Sequence, residues 1–182
     1  LNSDNNDKIE SIENESRVDY IYRLTKSKPT IHKSDKYREL NNGKLLKMDE
    51  DNLLMLGGDD ELCYEDPINP CGEDDEYIEF YFPLTLTSVS RIVYSSGFVN
   101  YESYSHSTYQ LNQIAVGGYS YINGLFLNSN WIQQNNSNYV RYLFSINHPS
   151  GTNCYDQYGD HWFYEPTLSL NSIHLTWGWS CG

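Results

Sequence analysis

Residues Cys154-Tyr155-Asp156-Gln157-Tyr158-Gly159-Asp160-His161-Trp162 place two carboxylates, an amide and an imidazole within nine positions, beside a cysteine. Side chains of this kind do two sorts of chemistry. Asp156 and Asp160 offer the hard oxygens that calcium prefers. Together with Gln157 they can also bond sugar hydroxyls while Tyr158 and Trp162 offer ring faces for stacking. Trp131 carries the same signature, with Asn128, Asn130, Gln133, Gln134, Asn135 and Asn136 around it. The candidate ligand-binding residues are therefore Trp131, Asp156, Tyr158, Asp160, His161 and Trp162. Asp156 and Asp160 are the candidate metal ligands, and calcium is the one cofactor considered. The plainer reading of 154–162, and the favoured one, is a surface loop whose Asp and Gly residues make turns.

Other chemistries find less support. The chain has no G-x-S-x-G elbow, and spacing assigns no nucleophile to His32, His106, His148, His161 or His174. Glu76, Glu79, Glu102, Asp160 and Glu165 are carboxylates that facing strands could pair for glycoside hydrolysis. The acidic runs 59–61 and 72–76 lack EF-hand spacing and read as solvated loops. Trp177 and Trp179 share a strand face with Leu175 and read as core.

Four cysteines fall into two local pairs, Cys63 with Cys71 and Cys154 with Cys181. Neither pair has C-x-x-C spacing or a histidine pair at ligand spacing, so disulfides are expected rather than zinc. The sequons at Asn14 and Asn135 agree with a secretory route. The chain opens at Leu1 without a basic, apolar leader, which is read as a mature form whose signal has been removed.

The elements that would position these residues are strands. Ten of the twelve basic residues lie between Lys8 and Lys47, and the last hundred residues hold only Arg91 and Arg141, with most of the tyrosines and all four tryptophans. A nearly uncharged stretch rich in Tyr, Trp, Ser, Thr and Asn suits a pleated surface. Strands are expected at 18–24, 37–40, 44–48, 53–56, 77–82, 84–95, 98–104, 109–116, 119–122, 125–132, 139–146 and 168–179. Asn123-Gly124 marks a type I′ hairpin, Gly117-Gly118 a bulge or bend, and 26–35, with Pro29, a basic loop. The expected fold is all-β and mainly antiparallel, a β-sandwich or jelly-roll-like domain over 59–182. An irregular, acidic N-terminal segment with short strands, 1–58, is wrapped on it or appended to it.

The formal charge of -13 argues against nucleic acid and against docking on anionic lipid. The reading that remains is a secreted domain that binds a cell-surface glycan or glycoprotein, as an adhesin, a lectin or the targeting part of a toxin. Three alternatives stand beside it. They are a pore-forming toxin component built on a β-hairpin at 84–122, a glycoside-active enzyme, and a subunit of a structural filament or homo-oligomer that pairs through an exposed Tyr-rich strand edge.

Overall fold

A computed structural model describes residues 28–34 and 71–182. The strands expected at 18–24, 37–40, 44–48 and 53–56, the Cys63–Cys71 bridge and the Asn14 sequon lie outside the described residues. The strands are β1 (Thr30–Lys33), β2 (Cys71–Glu73), β3 (Asp75–Tyr81), β4 (Leu84–Ser95), β5 (Phe98–Ile122), β6 (Leu125–Asn147), β7 (Cys154–Glu165) and β8 (Leu170–Cys181). No α-helix occurs among the described residues, and one 3-10 turn, Pro166–Leu168, joins β7 to β8.

All eight strands hydrogen-bond into one sheet of order β1-β8-β7-β5-β4-β3, with β2 also on β8 and β6 on β5. Only the β1–β8 pairing is parallel. The long β5/β6 hairpin organises the rest. Its first half lines up Leu86–Ser95 of β4 with Phe98–Ser107 of β5, and its second half carries β7 opposite Gln113–Ile122. Between these halves, from His106 to Leu111, the register shifts. There the sheet curls over, so that β4 faces β7 and β8 in a sandwich-like arrangement. At its tip, Asn123 and Gly124 both have positive φ, 49° and 74°, as a type I′ turn requires.

The inner faces of the two halves are banded. Leu84, Leu86, Leu111, Ile114, Val116, Val140, Tyr142, Phe163 and Leu170 form one apolar cluster, and Ile92, Val99, Tyr101 and Tyr155 another. Between them lies a polar belt of Ser88, Ser90, Ser103, Ser105, Gln157, His161, His174 and Thr176, each 0% exposed. The belt persists because its members bond one another. A relay runs Tyr142 Oη···Ser120 Oγ (2.9 Å), Ser120 to Gln157 Oε1 (2.8 Å), Gln157 Nε2 to Ser103 (2.8 Å), and Ser103···Ser90 (2.8 Å). It continues from Ser90 to Thr176 (2.7 Å), from Thr176 to His161 Nε2 (2.7 Å), and from His161 Nδ1 to Ser105 (3.0 Å). Paired in this way, a buried polar group avoids the cost of lost hydration.

Three sequence expectations are corrected. Residues 154–165 are not a surface loop but strand β7, flanked by β5 and β8. Thr30–Lys33, expected in a basic loop, is a strand on β8. Gly117 and Gly118 make no bulge, since the pairing passes through them without a shift. A Cβ on Gly118 would sit 2.1 Å from the Tyr142 ring, so that glycine is needed for close approach. The expected Cys154–Cys181 disulfide is present and joins paired positions of β7 and β8. A bridge closing a loop of that size contributes about 3 kcal/mol.

Candidate functional site

Strand alternation sorts the sequence-derived candidates. On β7, Asp156, Tyr158, Asp160 and Trp162 share one face, and His161 points the other way into the polar belt. Trp131 joins the first group, because both it and Asp160 pair with Gly117 of β5. Five of the six candidates thus lie on one face of β6-β5-β7-β8, with Tyr119, Tyr121, Trp177 and Trp179, which pair or alternate with them. Rings continue across it. Phe126 meets Tyr121 (5.5 Å), Tyr121 meets Tyr158 (5.8 Å), and Tyr158 stacks on Trp177 (5.8 Å, 13°).

Most of that face is closed to a ligand as the chain stands. Asp156 is 7% exposed, Tyr158 and Asp160 2%, Trp162 1% and His161 0%, and of the six only Trp131 is partly exposed. Asp156 accepts from Trp177 Nε1 at 3.1 Å, and burial pushes its carboxyl up to about 6. Burial likewise holds the His161 imidazole well below its usual range, so it is neutral at pH 7. Trp162 Nε1 donates to Asn171 at 3.0 Å. No group of three or more metal-binding side chains gathers among the described residues. The Asn135 side chain is exposed on β6.

Three of the candidate carboxylates, Glu79, Glu102 and Glu165, are engaged by neighbouring side chains or backbone. Glu165 caps the 3-10 turn, accepting from Thr167 N (3.1 Å), Thr167 Oγ1 (2.6 Å) and Asn112 N (2.9 Å), and the hydroxyl bond leads in keeping it low. Glu79 bonds His174 Nε2 (2.8 Å) and lies 3.3 Å from His32 Nε2, while His174 Nδ1 bonds Ser88 (2.8 Å). That serine–imidazole–carboxylate line has the elements of a nucleophile relay, but Ser88 and His174 are both 0% exposed, so no substrate reaches them. The bond from His174 holds the Glu79 carboxyl below its usual range.

Open concave surface lies at the sandwich end built by the β4–β5 turn, the 148–153 loop and the end of β8. One cavity of about 350 Å³ is lined by Tyr94, Ser95, Ser96, Gly97, Phe98 and His148. A second, of about 300 Å³, is lined by Gly72, Glu73, Asp74, Ile92, Tyr94, Trp179 and Ser180. Tyr94 stands between them, half-buried, with its hydroxyl donating to Ser180 Oγ (3.1 Å) and its ring against His148 (5.7 Å) and Tyr155 (5.9 Å). The Tyr94 phenol is raised by this burial and stays neutral at physiological pH. Phe98, at 47% exposure, presents its ring to solvent. Both cavities thus combine ring faces with hydroxyl groups, and the second adds two carboxylates. Sequence reading missed Tyr94, Phe98 and Trp179 as a group because they come from three strands. The Ser96-Gly97 turn was the one local signal that an open end lay there. Compared with known protein families and with curated proteins, the chain matches none.

Proposed function

We propose that this protein is a secreted glycan-binding domain whose site is the pair of cavities about Tyr94. The observation that carries the reading is their shared lining. Tyr94, Phe98 and Trp179 offer the flat apolar faces on which sugar C–H groups stack, and Ser95, Ser96, Glu73 and Asp74 offer oxygens that can bond hydroxyls. Cavities of about 300 to 350 Å³ suit one sugar residue each, so two adjoining ones suit a short oligosaccharide end. The Cys154–Cys181 bridge supports an oxidising compartment. An adhesin, a lectin or the targeting part of a toxin would each use such a site.

A glycan array probed with wild type, Phe98→Ala and Trp131→Ala tests the reading. Phe98 is exposed, so its truncation leaves the core intact, and it should lower array signal about tenfold, the loss of one stacking ring. Trp131→Ala should leave the signal unchanged. Silence of the wild type on neutral glycans would refute the proposal. Loss confined to Trp131→Ala would move the site to the aromatic face of β6-β5-β7-β8.

A further inference from the structure

The only two cations among residues 71–182 meet on one carboxylate. Glu102 of β5 lies between Arg91 of β4 and Arg141 of β6, on the sheet face turned away from the polar belt. Arg91 Nε donates to Glu102 Oε2 (2.6 Å), and Arg141 Nε is ion-paired with Oε1 (2.5 Å). The carboxylate is nearly buried, at 4%, whereas the two arginine side chains are 37% and 43% exposed. Each guanidinium is therefore tied by Nε alone. The Nη nitrogens of both, which in a bidentate pair would share the carboxylate, have no bonding partner among the described residues. Arg91 also lies over the Tyr104 ring (5.7 Å), and Tyr104 packs beside Tyr139 (5.9 Å).

We propose that Arg91 and Arg141 form a clamp for a single organic oxyanion, the carboxylate or sulfate ester of an acidic sugar. Glu102 spreads the two guanidinium groups and fixes their direction. Tyr104 and Tyr139 supply the adjacent apolar wall. Asp74 bears on Arg91 and Glu76 on Tyr104, whereas among the described residues Glu102 is the one carboxylate paired with Arg141, whose outer nitrogens are left to one ligand anion. A polyanion does not fit, because the whole chain is at -13 and repels extended negative charge. Asp74 acts on Arg91 from the end of β2, so Arg141 is the stronger arm. This site is separate from the cavities about Tyr94, and its test does not depend on them.

Calorimetric titration of the full chain with glucuronate, galactose 6-sulfate and neutral galactose at low salt decides the matter. Saturable binding of either anion, but not of galactose, supports the clamp, and the anion preferred assigns carboxylate or sulfate as the natural group. Arg141→Lys and Arg91→Lys keep a charge beside Glu102, and with it the fold, but lose the outward fork. Each should weaken the anion by about tenfold. Phe98→Ala should not change it. If neither anion binds, if galactose binds equally well, or if both lysine variants bind like wild type with unchanged circular dichroism, the proposal is overturned.

Discussion

Asp156 shows how far a side chain's chemistry depends on what surrounds it. Beside Asp160 and His161 in the sequence it offers a hydroxyl acceptor or a cation ligand, but in the fold it is 7% exposed under Trp177. Its carboxyl is raised from 3.8 to about 6 because burial penalises the charged form more than the indole bond favours it. The folded state therefore holds this proton more tightly than the unfolded chain. The stability this confers is full below pH 3.8, declines as pH rises through 6, and is gone above it. Two units correspond to at most about 3 kcal/mol at pH 7.5. Asp156→Asn keeps the acceptor for Trp177 and removes the charge. Urea denaturation at pH 7.5 should find it more stable than wild type by about 1 to 3 kcal/mol, with the gain vanishing near pH 4. A less stable variant at pH 7.5 would mean that an unseen partner stabilises the carboxylate.

The strands meet more closely than their sequences suggest. An added Cβ on Gly178 of β8 would lie 2.2 Å from the Ser90 carbonyl oxygen of β4, and one on Gly159 of β7 2.3 Å from Ser90 Oγ. The two halves of the sheet thus approach until backbone nearly touches backbone, which only glycine facing serine permits. Gly178→Ala should push β4 off β8 and break the Ser90–Thr176 bond, costing about 2 to 3 kcal/mol. Thermal melts would register it, with Gly97→Ala unsuitable as a control because Gly97 has φ 85°. The same closeness explains what sequence reading found and what it missed. Leu84–Ser95 was legible to the residue, since its turns are sharp and its apolar ends mark it as a strand. β7 was not legible, because its inward residues Gln157, Gly159 and His161 look like a solvated loop until Ser103, Ser90 and Thr176 are placed opposite them. β5 and β6 were read as fragments because Thr108, Tyr109 and Gln110 are exposed where the hairpin bends. The aromatic composition of the candidate site was visible in the sequence. Its position was not, because strand pairing alone brings Tyr94, Phe98 and Trp179 to one end.

Across the whole molecule, pH acts through two opposed effects that salt can separate. Acidification from pH 7 toward the pI of about 4.6 reduces a charge of -13 and relieves repulsion, which favours the fold. Inside, His161 and His174 are held neutral, both lowered from 6.5 chiefly by burial, and His174 remains so despite its bond to Glu79. Their contribution is full above 6.5 and is lost as pH falls below it, because only the unfolded chain can protonate them freely. Surface repulsion is screened within about 10 Å at 0.1 M salt, whereas the buried imidazoles are scarcely screened. Since Asp156 works in the opposite sense between 6 and 3.8, the Asp156→Asn background isolates the histidines. In that background, at about 0.5 M sodium chloride, unfolding free energy should fall steadily from pH 7 to pH 5. At low salt the fall should be shallower, since relief of repulsion offsets part of it. His161→Gln, which carries no titrating group into the belt, should flatten the high-salt profile. If that profile keeps its full slope in the glutamine variant, the acid sensitivity belongs to His174, and the central relay is not what makes the fold prefer neutral pH.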